Sequence, residues 1–150
     1  MKVIKYAVAL FLVMAFAQAQ AADGLISVKS PHSAQETMNK FEEVVKSKGL
    51  NVFARIDHAA GAKKAGMALR PTELLIFGNP QGGTPFMKCA QSVGIDLPLK
   101  ALVWEDNSGQ VWLGYNDPKY LAQRHNVPEC AVAEKLSGAL AGFVKAALAP

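Results

Sequence analysis

Apolar and polar positions change period several times along the chain, and each change marks an element. Met38, Phe41, Val44 and Val45 recur at helical spacing, with Lys40, Glu42, Glu43 and Lys46 between them. In front of them stands a capping box, Ser33-Ala34-Gln35-Glu36: the hydroxyl accepts an orphan N–H, and the glutamate reaches back to the cap. Gly49 suits the left-handed residue that follows a helix. These signals predict an amphipathic helix over 33–48. Leu25, Ile26 and Val28, closed by Pro31, predict a short strand over 25–30, and the alternation around Val52, Phe53 and Ile56 predicts another over 51–57. Residues 58–66 are small, polar and broken by glycine, as in a loop or short helix. The run Leu74-Leu75-Ile76-Phe77 lies between Pro71 and Asn79-Pro80, which predicts a strand over 72–78 buried on both faces.

Gly82-Gly83-Thr84-Pro85 opens the next helix, with Thr84 as N-cap and Pro85 at the first helical position, where its missing N–H is no loss. Phe86, Met87, Ala90 and Val93 make its apolar stripe, and Gly94 ends it. A strand over 100–105 and its return over 110–115 flank Asp106-Asn107-Ser108-Gly109, a hairpin turn in which Gly109 supplies positive φ. Pairing Glu105 with Gln110 sets Trp104 opposite Val111 and Val103 opposite Trp112. Both hairpin faces then carry large apolar groups, and the face away from the helices needs its own cover. Asp117-Pro118 starts a short helix to His125, whose place near the helix C-terminus suits the dipole. An Ala-rich helix over 128–148 follows, with Val132, Leu136, Leu140 and Phe143 on its apolar side. Gly138 and Gly142, four apart, suggest close packing on the sheet.

The order of elements, with helices at intervals and an antiparallel hairpin, indicates an α+β single domain with a mainly antiparallel sheet, helices on one face and a long C-terminal helix. Composition agrees: 150 residues, 51% hydrophobic and 19% charged, exclude a disordered tail protein and a coiled coil. Residues 1–22 read as a secretory signal peptide, which leaves 23–150 as the domain. Lys2 and Lys5 precede the apolar run from Tyr6 to Phe16, and Ala17-Gln18-Ala19 and Ala19-Gln20-Ala21 offer cleavage patterns. That run is about half the roughly 20 residues a membrane span requires. The reading implies a periplasmic or secreted protein with no stable membrane anchor after cleavage. Without Lys2 and Lys5 the formal charge falls from +4 to +2, too little and too mixed for nucleic acid. In an oxidising compartment the only cysteines, Cys89 and Cys130, read as a disulfide closing a loop of 41 residues, with free or metal-binding thiols as the other reading.

Four segments carry a resemblance: Ala54-Arg55-Ile56-Asp57-His58, Leu69-Arg70-Pro71-Thr72-Glu73-Leu74-Leu75-Ile76-Phe77-Gly78-Asn79-Pro80, Gly94-Ile95-Asp96-Leu97-Pro98-Leu99-Lys100 and Tyr115-Asn116-Asp117-Pro118. In this order, from about Gly24 to His125, they resemble the bacterial family known as domain of unknown function 302. The resemblance implies a β-α-β(4)-α sheet like that of TATA-binding protein, often seen as a dimer, and no established activity. The cysteine pair is an addition to the family's core pattern.

The candidate ligand-binding residues are Asp57, His58, Asn79 and Asp96. They sit at strand ends and loop starts, where clefts form, although caps and turns use the same residue types. No catalytic constellation and no metal-ligand spacing appears in the sequence, and no cofactor is implied. The expectation is a non-catalytic binding module for a small ligand, able to pair with a second copy through the apolar hairpin. The competing expectation is a hydrolase or metal-dependent enzyme using His58 with Asp57, Glu73 or Asp96.

Overall fold

A computed structural model describes residues 24–150; the expected signal peptide over 1–22 lies outside the described residues. The elements run β1 (Leu25–Lys29), α1 (Ala34–Ser47), β2 (Asn51–Asp57), α2 (His58–Lys64), β3 (Thr72–Gly78), α3 (Pro80–Cys89), a 3₁₀ turn (Gln91–Ile95), β4 (Leu99–Glu105), β5 (Val111–Asn116), α4 (Pro118–Arg124) and α5 (Ala131–Ala147). The strands form one sheet in the order β1-β5-β4-β3-β2, antiparallel at every pairing. The fold is α+β, the β-α-β(4)-α order with short helices inserted after β2, β3 and β5.

Strand periodicity decides which residues form the core. Leu75, Phe77, Ala101, Val103, Leu113 and Tyr115 turn to one face and are buried. Met38, Phe41 and Val45 of α1 and Leu140, Val144 and Ala147 of α5 cover them. Phe41 meets Phe77 edge to face, 5.5 Å between ring centroids. Ser33 caps α1 through Glu36 N–H. At the sheet edge Arg55 grips α1: its Nε and Nη2 donate to Glu73 at 2.5 and 3.0 Å, and Nη1 donates to Glu42 and Asn39 at 3.0 and 2.8 Å. Lys46 and Arg55 hold the Glu42 carboxyl below the usual carboxylate range.

The hairpin register differs from expectation by one residue. Glu105 pairs with Val111, Trp104 with Trp112 and Val103 with Leu113. The cause lies in the turn. Asp106 N–H donates to Gln110 C=O, Gly109 N–H donates to Asp106 C=O, and Gly109 adopts φ 81°. This is a turn closed by a glycine bulge, and the extra residue moves the pairing along. Trp104 and Trp112 therefore share the outer face and stack at 6.3 Å. Gly114 makes room for them, because a Cβ there would stand 2.8 Å from Trp104 Cζ3. On the same face as the indoles, Ile56, Leu74, Ile76 and Leu102 turn away from α1 and α5 and stay half-buried or exposed. β3 is thus buried on one face, not both.

Three further expectations are corrected. α3 starts at Pro80, not Thr84. Asn79 Oδ1 accepts Gly82 N–H at 2.9 Å, so Asn79-Pro80 supplies the cap and the N1 proline before Thr84-Pro85 can; Pro85 lies inside the helix. α5 begins at Ala131 rather than 128. Gly138 and Gly142 face open space, so their spacing serves no close packing.

The turn also makes a pH prediction. Ser108 Oγ donates to Asp106 Oδ1 at 2.7 Å and Trp112 Nε1 to Oδ2 at 2.8 Å, and these bonds hold the Asp106 carboxyl far below its ordinary value. A depressed folded-state value stabilises the fold above the unfolded-state value, and that contribution fades as acid protonates the group. Urea titrations followed by tryptophan fluorescence are expected to show stability falling below about pH 4, with a shallower fall in Asp106→Asn. Equal slopes for the two proteins would contradict this role.

Candidate functional site

The core has two parts. Besides the sheet cluster, Phe86, Val93, Leu121, Ala122, Cys130 and Ala133 form a second cluster between α3, α4 and the start of α5. α5 serves both: Ala133 packs in the second, and Leu140 and Val144 in the first. Between the clusters lies a cavity of about 440 Å³. α3 lines one wall with Gly82, Gly83, Thr84 and Met87, and α5 lines another with Leu136, Ala139, Leu140 and Phe143. Leu97, Pro98 and Leu99 close the side next to β4, and Leu50 and Phe53 stand at the β2 side. The size is that of a site for one small molecule.

Phe53 reaches the cavity through a backbone irregularity. The β2–β3 register shifts between Val52 and Ala54, and Phe53, 57% exposed, is thrown out of the alternation. Bulges often re-aim a side chain beside a binding site. A covalent tie sets the α3 wall. Cys89, the last residue of α3, is joined by a disulfide to Cys130, the N-cap of α5, with Cα atoms 6.1 Å apart. This engages both thiols and leaves none among the described residues for a metal.

The polar candidates fall into separate places. Asn79 lines the cavity while capping α3. Asp57 caps α2 through Ala60 N–H at 2.8 Å, and exposed His58 opens that helix. Glu73 is held by Arg55. Asp96 pairs not with His58 but with α4: Arg124 Nη1 donates to Oδ1 at 2.9 Å, and His125 Nε2 lies 2.6 Å from Oδ2. Ser92 Oγ sits 2.9 Å from His125 Nδ1. The structure therefore does not assemble the expected His58–carboxylate group. It builds a hydroxyl–imidazole–carboxylate chain from Ser92, His125 and Asp96 that sequence reasoning missed. The order resembles a nucleophile, base and orienting acid, but none of the three lines the cavity, and Arg124 shares the carboxylate. The chain ties the 3₁₀ turn to the end of α4. Among the described residues no group of three or more His, Cys, Asp or Glu converges as a metal site, and no helix is long and apolar enough to cross a membrane.

Comparison with known proteins settles the family. The model of "Domain of unknown function DUF302" matches residues 26–143. The chain belongs to the DUF302 family. Its fold is similar to the crystal structure of an uncharacterized conserved DUF302 protein from Bacillus stearothermophilus, with a TM-score of 0.76 and 24% identity, over 84% of this chain and 99% of that one. Over 104 residues, 69% of this chain, it is 57% identical to the fluoride-specific ion channel FluC 1 of Brucella suis, of which it covers 41%. The same length and identity relate it to FluC 1 of Brucella abortus and FluC 2 of Brucella melitensis, with 38% of each covered. The chain spans about two fifths of the length of these curated relatives.

The disulfide closes a 41-residue loop, worth roughly 4 kcal/mol in the chain-entropy account. Replacing both Cys89 and Cys130 with serine is expected to lower the unfolding free energy by about that amount and to speed amide exchange in α3 and the 3₁₀ turn ahead of the central strands. Uniform acceleration across the sheet, or no loss of stability, would contradict the bracing role.

Proposed function

We propose that this DUF302 protein is an exported, non-catalytic binding module that holds one small apolar molecule in the cavity between α3 and α5. The cavity carries the reading: it lies between two packed clusters, is walled by helices tied covalently at Cys89–Cys130, and has an exposed aromatic ring at its rim. Export rests on the leader pattern over 1–22 and on the disulfide, which suits an oxidising compartment. Among the described residues the cavity offers an ion no charged side chain, which favours a neutral occupant.

A second observation favours self-association. On the sheet face away from α1 and α5, the half-buried Trp104, Trp112, Leu102 and Leu74 and the exposed Ile56 form an apolar patch. Large exposed apolar patches mark interaction surfaces, and a second copy would cover this one.

Binding is tested with N-phenyl-1-naphthylamine, a neutral dye that brightens in apolar sites. The protein is expected to enhance its fluorescence, and Gly83→Leu to abolish the enhancement. A Cβ at Gly83 would stand 3.6 Å from Leu97 Cδ1, so a larger side chain there fills the space. The melting temperature should not fall, because a helix-interior glycine is removed. No enhancement by the native protein, or full enhancement by the variant, would overturn the reading. For self-association, sedimentation equilibrium is expected to show a dimer that Leu102→Lys converts to monomer; a monomeric native protein at all concentrations would contradict it.

A further inference from the structure

The chemistry of the cavity wall narrows the ligand class. Among the described residues no charged side chain lines the cavity, and the polar residues that do are Asn79 and Thr84. An ion placed there would lose its hydration and find no counter-charge, which disfavours carboxylates, phosphates and amines. A molecule without a polar group would leave the amide of Asn79 unmatched.

Asn79 has a fixed orientation. The group that meets Gly82 N–H must be an acceptor, so Oδ1 is engaged in the helix cap at 2.9 Å. The Nδ2 amide, which makes no other side-chain hydrogen bond among the described residues, is left to donate. Gly82 and Gly83 follow immediately, and Leu136 and Leu97 stand 3.4 and 3.6 Å from where their Cβ atoms would be, so this end of the wall is otherwise aliphatic. The opposite wall, with Leu140 and Phe143, is purely apolar.

Building on the binding reading above, we infer that the occupant is a neutral, largely apolar molecule bearing one hydrogen-bond-accepting oxygen, such as a ketone, ester or ether. Its oxygen accepts from Asn79 Nδ2, and its hydrocarbon body lies along α5. Thr84, able to donate or accept, stands at the same polar end.

Four matched probes test this on the full chain by ligand-observed NMR titration: 4-phenylbutan-2-one, butylbenzene, 4-phenylbutanoate and 4-phenylbutylammonium. The ketone is expected to bind about fivefold tighter than butylbenzene, the yield of one neutral hydrogen bond. It should bind at least about tenfold tighter than either ion at neutral pH, reflecting the cost of burying an unpaired charge. Asn79→Asp keeps an oxygen for Gly82 N–H and removes the donor. It should erase the preference for the ketone over butylbenzene. Binding of either ion as tightly as the ketone, or a ketone preference that survives in Asn79→Asp, would overturn the ligand class and leave the binding reading standing. Failure of all four probes to bind would instead overturn the binding reading itself.

Discussion

α5 is required to complete two cores at once. Its first turns pack on Phe86 and Val93 beside α3, and its later turns pack on the sheet with Met38 and Phe41. Because α5 serves two clusters, a seam remains between them where neither packs. The cavity is that seam. It stays defined because Cys89–Cys130 fastens the end of α3 to the start of α5. The rest of the fold positions this junction: the sheet supplies the floor, and the bulge near Phe53 supplies the rim.

Where the charged groups go matters as much. Arg55 is taken up by Glu73, Glu42 and Asn39 at the sheet edge, and Asp96 by Arg124 and His125 at the end of α4. Each cluster settles its charges locally, outside the cavity. An amide and a hydroxyl remain to meet a ligand, and they stand at the α3 end of an otherwise apolar chamber. The triad-like arrangement of Ser92, His125 and Asp96 fastens two segments together away from that space.

Much of the fold was legible in local signals. The bounds of β2 and β3, the Ser33 cap, the Asp117-Pro118 start of α4 and the two-cysteine tie follow from periodicity, capping chemistry and compartment. The hairpin register was not, because one bulged residue at Gly109 reverses the faces of β5 without disturbing its alternation. α3 carried two equivalent start signals, Asn79-Pro80 and Thr84-Pro85, and only the folded chain shows which one caps. The cavity was illegible for a different reason. Its walls come from segments as distant as Leu50 and Phe143, and each lining Leu or Phe looks locally like an ordinary core residue. Asn79 was identifiable as a candidate by its place at a strand end. Asp96 was identifiable too, but its partner His125 lies 29 residues away.

Methyl-resolved NMR with 4-phenylbutan-2-one distinguishes binding in the cavity from binding on the sheet face, because the two carry different reporters. A ligand held between α3 and α5 shifts the methyl groups of Leu97, Leu99, Leu136 and Leu140 and leaves the indole N–H signals of Trp104 and Trp112 unmoved. Shifts confined to the indoles and Leu102, with the cavity methyls silent, would contradict binding in the cavity.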